Sequence, residues 1–121
     1  MQFEKSSPEF IEFFLKVAPS GPDIEHKRVF GYPACFVNSN MFTGLHGNTM
    51  ILRLGEAERE HFLQTYSAHI FEPMPGHRMK EYAVIPQAVL DNAGILEEWL
   101  GKSLVYGRSL PPKIKKPSKK S

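Results

Sequence analysis

Residues 27–54 carry the pattern that decides the fold, KRVFGYPACFVNSNMFTGLHGNTMILRL. Four short runs rich in β-branched, aromatic and other large apolar residues lie in it, at Lys27–Tyr32, Ala34–Val37, Met41–Leu45 and Thr49–Leu54. Between the last two runs, Gly47-Asn48 has the pattern of a two-residue hairpin, because glycine adopts a positive φ without strain. Parallel strands would need a crossover helix between them, so runs this close together predict an antiparallel meander.

The last run indicates which side of the sheet is buried. Met50, Leu52 and Leu54 alternate along it, so they share one face of a strand. Thr49 and Arg53 project from the other face. We therefore expect one face to belong to the core and the other to be open for contacts outside it.

Helical patterns flank this region. Ser6-Ser7-Pro8-Glu9 predicts a helix start, since serine accepts hydrogen bonds from the first amides and proline has no amide to leave unpaired. Glu56–Tyr66 predicts a second helix, and Met79–Ile85 a further strand. A last helix follows Asn92, and we expect Gly101 inside it to be required by close packing, because glycine otherwise weakens a helix.

The element order is α-β-β-β-β-α-β-α. It predicts an α+β fold of two layers, with a largely antiparallel sheet of about five or six strands packed against helices. The chain has 121 residues, which is the length of one domain. We assign residues 1–112 to that domain and predict that 113–121 form a disordered, lysine-rich tail.

The net charge of +2 hides an uneven distribution. The chain has 15 Lys and Arg against 13 Asp and Glu, and five of the lysines follow Pro112. Residues 1–112 therefore carry 10 basic and 13 acidic side chains, which argues against a broadly basic nucleic-acid-binding surface. The tail lysines are candidate phosphate contacts of a non-specific, salt-sensitive kind: Lys113, Lys115, Lys116, Lys119 and Lys120.

The sequence lacks the patterns of a membrane span, a signal peptide, a disulfide and a metal site. No apolar run approaches the length of a membrane span, and no signal peptide is evident. Cys35 alone cannot form an intramolecular disulfide. We therefore expect a cytoplasmic protein without membrane contacts. The five histidines include no i,i+4 pair, and Cys-x-x-Cys is absent. Cys35 lies in an apolar run, where cysteine usually behaves as a small buried side chain. We predict no catalytic residues, no metal site and no cofactor.

One candidate interaction surface emerges from the strands. Arg78, Lys80 and Tyr82 alternate along the predicted strand Met79–Ile85 and its flank, so they share a face. Together with Arg53 they offer cations and an aromatic ring with a polar tip, a composition that suits an anionic or protein partner. The alternative is an ordinary polar outer face with Tyr82 packed sideways.

Several segments together resemble the TfoX N-terminal domain family, especially its short stand-alone members. The resemblance runs from Arg28-Val29-Phe30-Gly31 to Lys113 and rests on order and spacing. The matching segments include Phe36-Val37-Asn38, Asn40-Met41-Phe42, Gly44, Arg53-Leu54, Glu72-Pro73-Met74-Pro75-Gly76, Met79-Lys80-Glu81-Tyr82, Pro86, Trp99-Leu100 and Ser109-Leu110-Pro111-Pro112-Lys113. The resemblance implies a two-layer α+β domain and brings no established catalytic residues. In full-length members a C-terminal domain follows, and the whole protein regulates competence genes in bacteria.

These observations favour a non-enzymatic regulatory or protein-interaction module with a transcription-related protein as partner. Two other hypotheses stay open: a nucleic-acid-associated protein that uses the basic tail, and a small-molecule-binding protein or enzyme. An exposed edge strand would also allow two copies to pair as a homodimer.

Overall fold

The structure, a computed structural model, describes residues 7–112. This part of the chain forms a six-stranded sheet and four helices. The elements follow one another as α1 (Pro8–Val17), β1 (Ile24–Val29), β2 (Tyr32–Val37), β3 (Asn40–His46), β4 (Thr49–Arg53), α2 (Glu56–Tyr66), β5 (Ile70–Met74), β6 (His77–Val84), α3 (Gln87–Leu90) and α4 (Ala93–Ser109). The predicted α+β class is confirmed.

Every strand pair in the sheet is antiparallel, and the strand order is β1-β2-β3-β4-β6-β5. The first four strands form the predicted meander, and the turn at Gly47-Asn48 joins β3 to β4. β6 then pairs with β4, so the hairpin of β5 and β6 completes the sheet with β5 at its edge.

The predicted strand Lys27–Tyr32 is wrong in its extent. Phe30 and Gly31 have φ values of 53° and 85°, so they form a two-residue turn, and β1 ends at Val29. Positive φ at both central residues is what a type I′ hairpin turn requires. Phe30 is 90% exposed, so its apolar side chain, which had suggested a strand, stands at the tip of the hairpin.

The helices begin where the sequence places hydrogen-bond acceptors. The Ser7 hydroxyl accepts a hydrogen bond from the Phe10 amide at 3.1 Å, which confirms the predicted start of α1. Asn92 does the same for the Ile95 amide at the start of α4, also at 3.1 Å. Each side chain satisfies one amide that has no partner inside its helix.

All four helices pack on the same face of the sheet. Each contributes at least one side chain to a single buried cluster, for example Phe14 from α1 and Phe62 from α2. Met50 and Leu52 alternate in β4 and Leu54 follows directly after it, so these three cluster residues occupy one face. The predicted core face of β4 is therefore confirmed. The opposite face is open only in part: none of the described helices covers it, but Ile51 in the middle of β4 points to it and is only 3% exposed.

Ser103 fixes α4 to the sheet at the point where the ladder between β3 and β4 opens. A bulge in the pairing of β2 with β3 inserts Phe42, and the β3–β4 register ends at Thr43. The fully buried Ser103 hydroxyl lies 2.7 Å from the carbonyl oxygens of both Phe42 and Arg53. Because a hydroxyl has one hydrogen, these two carbonyls share a single donor.

Close packing of α4 depends on Gly107, and the expectation for Gly101 is wrong. A Cβ atom on Gly107 would lie 2.7 Å from Cγ1 of Val37. A Cβ atom on Gly101 would have nothing within 4 Å, because Gly101 faces outward. Gly107 therefore lets the helix backbone approach the sheet.

The segment after α4 is held against the turn between β2 and β3. Asn38 donates a hydrogen bond to the Arg108 carbonyl at 3.2 Å, and Asn40 donates one to the Pro111 carbonyl at 3.0 Å. Arg108 also forms a salt bridge with Asp23 at 2.8 Å. The Asn-rich turn and the Leu-Pro-Pro segment, 70 residues apart in the chain, thus form one structural unit.

Candidate interaction surface

Two of the four predicted surface residues lie side by side. Arg53 and Tyr82 face each other across β4 and β6, and the Arg53 guanidinium lies 5.5 Å from the centre of the Tyr82 ring. Register partners in an antiparallel pair project to the same side, which here is the face opposite the helices. The structure therefore brings these two residues together on the face that the sequence predicted to be open.

Both side chains also form bonds within the domain. Arg53 Nε donates to Glu81 Oε1 at 2.8 Å, and the Tyr82 hydroxyl donates to the Met41 carbonyl at 2.8 Å. Burial by itself would lower the pKa of Arg53, but the hydrogen bond to Glu81 and the charge interactions with Tyr82, Glu81 and Tyr106 together raise it, so the net shift is upward. Burial raises the pKa of the Tyr82 phenol. Arg53 and Tyr82 therefore join β6 to β4 and β3, a positioning role that the sequence did not indicate.

A second tyrosine connects this group of residues to α4. Burial raises the pKa of Tyr106, and the neighbouring negative charge of Glu81 adds to the rise. The Tyr106 ring also covers Gly55, where a Cβ atom would lie 3.0 Å from the ring. The residues Arg53, Glu81, Tyr82 and Tyr106 thus form one polar cluster at the end of β4, which we call the Arg53 cluster.

The other two predicted residues, Arg78 and Lys80, are exposed on a projecting hairpin. β4 ends at Arg53, opposite Tyr82, whereas β6 begins at His77. Within residues 7–112, the first part of β6 therefore pairs only with β5, and it extends roughly 16 Å past β4. Neither Arg78 nor Lys80 forms a salt bridge with another residue of 7–112.

The tip of this hairpin carries an exposed apolar residue. Met74 is 56% exposed and lies next to the Pro75-Gly76 turn, where Gly76 has a φ of 81°. The Gly76 amide donates to a Glu72 carboxylate oxygen at 2.7 Å, which orders the turn. Its prolines and glycine are typical of a turn, so composition alone does not reveal the strands that extend to either side of it.

Cys35 is fully buried, as the sequence predicted. Burial raises the pKa of its thiol to about 11, so the thiol stays protonated near neutral pH. The nearest side-chain partner is His26, whose Nε2 lies 3.8 Å from the sulfur and 3.0 Å from the Pro19 carbonyl. This environment suits a structural cysteine.

An open groove of about 660 Å³ runs along the outer side of α4. Gly101 forms part of its floor, and Val105, which is 65% exposed, stands at its rim. Glu58 of α2 and Lys102 of α4 face each other across it at 3.8 Å. The groove lies on the outside of the helical layer and does not enter the space between helices and sheet.

Three other predictions concern a metal site, a membrane span and the lysine-rich tail. Within residues 7–112, no three His, Cys, Asp or Glu side chains come together in a group that could hold a metal ion. None of the helices in this part of the chain has the length and apolar composition needed to cross a membrane. The candidate phosphate contacts Lys113, Lys115, Lys116, Lys119 and Lys120 lie outside the described residues.

Comparison with known proteins agrees with the fold. The protein-family model of the TfoX N-terminal domain matches residues 16–105 of the sequence, which run from the end of α1 to the second half of α4. No curated protein matches the chain. The matched region covers well over half of the 121 residues and includes all six strands of the sheet. The chain therefore belongs to the TfoX N-terminal domain family.

Proposed function

We propose that this chain is a non-enzymatic protein-interaction module of bacterial transcription regulation, with the β5–β6 hairpin as its binding surface. The observation that supports this most is the projecting end of the hairpin, where the exposed Met74 lies close in sequence to Arg78 and Lys80. Family membership supports the regulatory part, because full-length members regulate competence genes.

The composition of the hairpin suggests the chemistry of the partner. An exposed methionine adapts its shape to an apolar pocket, and arginine forms paired hydrogen bonds with carboxylates. Lys80 adds a second cation that has no salt-bridge partner within residues 7–112. Met74 pairs with His77 and therefore lies on the opposite face of the hairpin from Arg78 and Lys80. The matching surface is a cleft that receives the hairpin tip, with an apolar pocket for Met74 on one side and acidic side chains on the other.

The four predicted residues divide into two roles in this proposal. Arg78 and Lys80 contact the partner, and Arg53 and Tyr82 hold the hairpin in position through Glu81 and Met41. Loss of a contacting cation should weaken binding most at low salt, because exposed charges are screened as salt rises. Loss of a positioning residue should weaken binding at every salt concentration.

Affinity capture from the native bacterium tests the surface. The double variant Arg78→Ala with Lys80→Ala should lose the captured partner, and Met74→Ala should weaken its recovery. The control variant, Lys16→Ala with Lys102→Ala, removes the same number of cations from the helical layer. Equal recovery by the hairpin variant and the control would refute the assigned surface.

DNA binding by the same purified variants tests the alternative hypothesis of a nucleic-acid-associated protein. DNA binding is measured at low and moderate salt for the full chain, for residues 1–112 and for the hairpin variant. Binding that disappears only when 113–121 are removed would assign the interaction to the tail and contradict the proposed hairpin surface as the functional one.

A further inference from the structure

The two edges of the sheet differ in their capacity to pair with another strand. β5 forms one edge and contains Pro73, which has no amide hydrogen to donate. β1 forms the other edge, has six residues without proline, and pairs only with β2 within residues 7–112. A regular edge of this kind is a template for a further strand.

The hairpin turn determines which backbone groups of β1 point outward. In a two-residue hairpin the residues that flank the turn, here Val29 and Tyr32, bond to each other. The inward and outward groups then alternate, so His26 and Arg28 direct both their amide and their carbonyl away from β2. Of the backbone groups of Ile24, only the carbonyl can bond to a further strand, because the amide donates to the Gly21 carbonyl at 3.1 Å.

We propose that β1 pairs with β1 of a second copy of this chain, antiparallel and about a two-fold axis at His26. A two-fold axis perpendicular to the sheet keeps both helical layers on the same side. It therefore pairs residues that share a face, and His26 meets His26 of the second copy through two backbone hydrogen bonds. Arg28 meets Ile24 of the second copy at each end.

The charges of β1 select this register. Glu25 of each copy lies directly opposite Lys27 of the other, and the interface contains this pair twice. Both side chains are at least half exposed, and they already form a salt bridge of 3.4 Å within one copy. The other residue whose amide and carbonyl both point outward is Arg28, and a register centred on it would place two arginines directly opposite each other, which is unfavourable.

Apolar surface beside the edge supports the same contact. A cavity of about 250 Å³ lies between α1 and β1, lined by Ile11 and Leu15 of the helix and by His26, Lys27 and Arg28 of the strand. Leu15 is 53% exposed. Because the axis keeps α1 of both copies on one side of the sheet, pairing through β1 brings both of these apolar patches beside the interface.

A charge-reversal experiment tests the register. Sedimentation analysis measures self-association of the wild-type chain, of Glu25→Lys and of Lys27→Glu, up to millimolar concentration. Each single variant places like charges opposite each other twice, so its dissociation constant should rise about tenfold or more. Mixing the two variants restores opposite charges at both pairs and should yield a heterodimer with wild-type affinity.

Every outcome bears on the proposal. A wild-type chain that stays monomeric would overturn it, as would single variants that associate like the wild type. Failure of the mixture to associate would overturn the register centred on His26. Arg28→Pro provides a second check, because it removes one outward amide and leaves the β1–β2 hydrogen bonds in place, so it should also abolish association. Circular dichroism of each variant establishes that it is folded.

Discussion

The two glycines inside α4 should respond with opposite sign to the same substitution. Gly101→Ala adds a methyl group to open space and removes the helix cost of glycine, so it should stabilise the domain by about 1 kcal/mol. Gly107→Ala places the same methyl group 2.7 Å from Val37 Cγ1, where carbon atoms normally stay about 3.5–4.0 Å apart. Val37 cannot turn away easily because its χ1 angle is restricted.

The net effect at Gly107 is the overpacking cost less the helix gain. Overpacking of a core costs about 1–3 kcal/mol and the gain is about 0.5–1 kcal/mol, so Gly107→Ala should destabilise by about 1.3 kcal/mol at the midpoint of these ranges and by at most about 2.5 kcal/mol. Because the helix gain is common to both variants, the difference between them isolates the packing cost.

Urea unfolding of the two variants measures this difference. The double variant Gly107→Ala with Val37→Ala should show favourable coupling, because the smaller side chain removes the clash. Equal stabilities for Gly101→Ala and Gly107→Ala, or purely additive effects with Val37→Ala, would refute the conclusion that α4 approaches the sheet closely at Gly107.

Three further predictions follow from buried polar groups. Ser103→Ala should lower the free energy of unfolding in urea by about 1–3 kcal/mol, because two buried carbonyls lose their donor. The control Ser109→Ala makes the same change in helix propensity at an exposed site and should lower it by under about 0.5 kcal/mol. Cys35 stabilises the folded state below its unfolded pKa of 9.0, and this contribution should disappear as pH rises towards about 11. Cys35→Ala should therefore flatten the loss of stability measured across that interval. Tyr82→Phe removes the hydroxyl that donates to Met41, so it should cost about 1 kcal/mol and speed hydrogen exchange in β6.

Local patterns predicted most of the secondary structure because local physics decides it. The Ser7 cap, the Gly47-Asn48 turn and the alternation of Met50, Leu52 and Leu54 all depend on neighbouring residues. The prediction failed at Phe30, where an aromatic residue adopts a positive φ of 53° in a turn. An apolar residue in a turn resembles one in a strand when only composition and spacing are considered.

The sequence suggested four residues for the candidate interaction surface, and the structure shows how these four residues are arranged. Strand alternation placed Arg78, Lys80 and Tyr82 on one face, but Arg53 lies beside Tyr82 only because β6 pairs with β4 as well as with β5, its neighbour in sequence. The division into positioning and contacting residues depends on Glu81 and Met41, which lie on different strands. No spacing within a single segment could indicate it.

Periodicity, turn chemistry and the order of short segments were enough to predict the α+β class, the antiparallel meander, the buried face of β4 and the family. The tertiary structure decided which glycine of α4 contacts the sheet, which carbonyls Ser103 satisfies, and which strand is left at an edge. These features depend on distances between residues far apart in the chain. They are set when the helical layer packs on the sheet, a step in which the size and shape of side chains matter more than their local pattern.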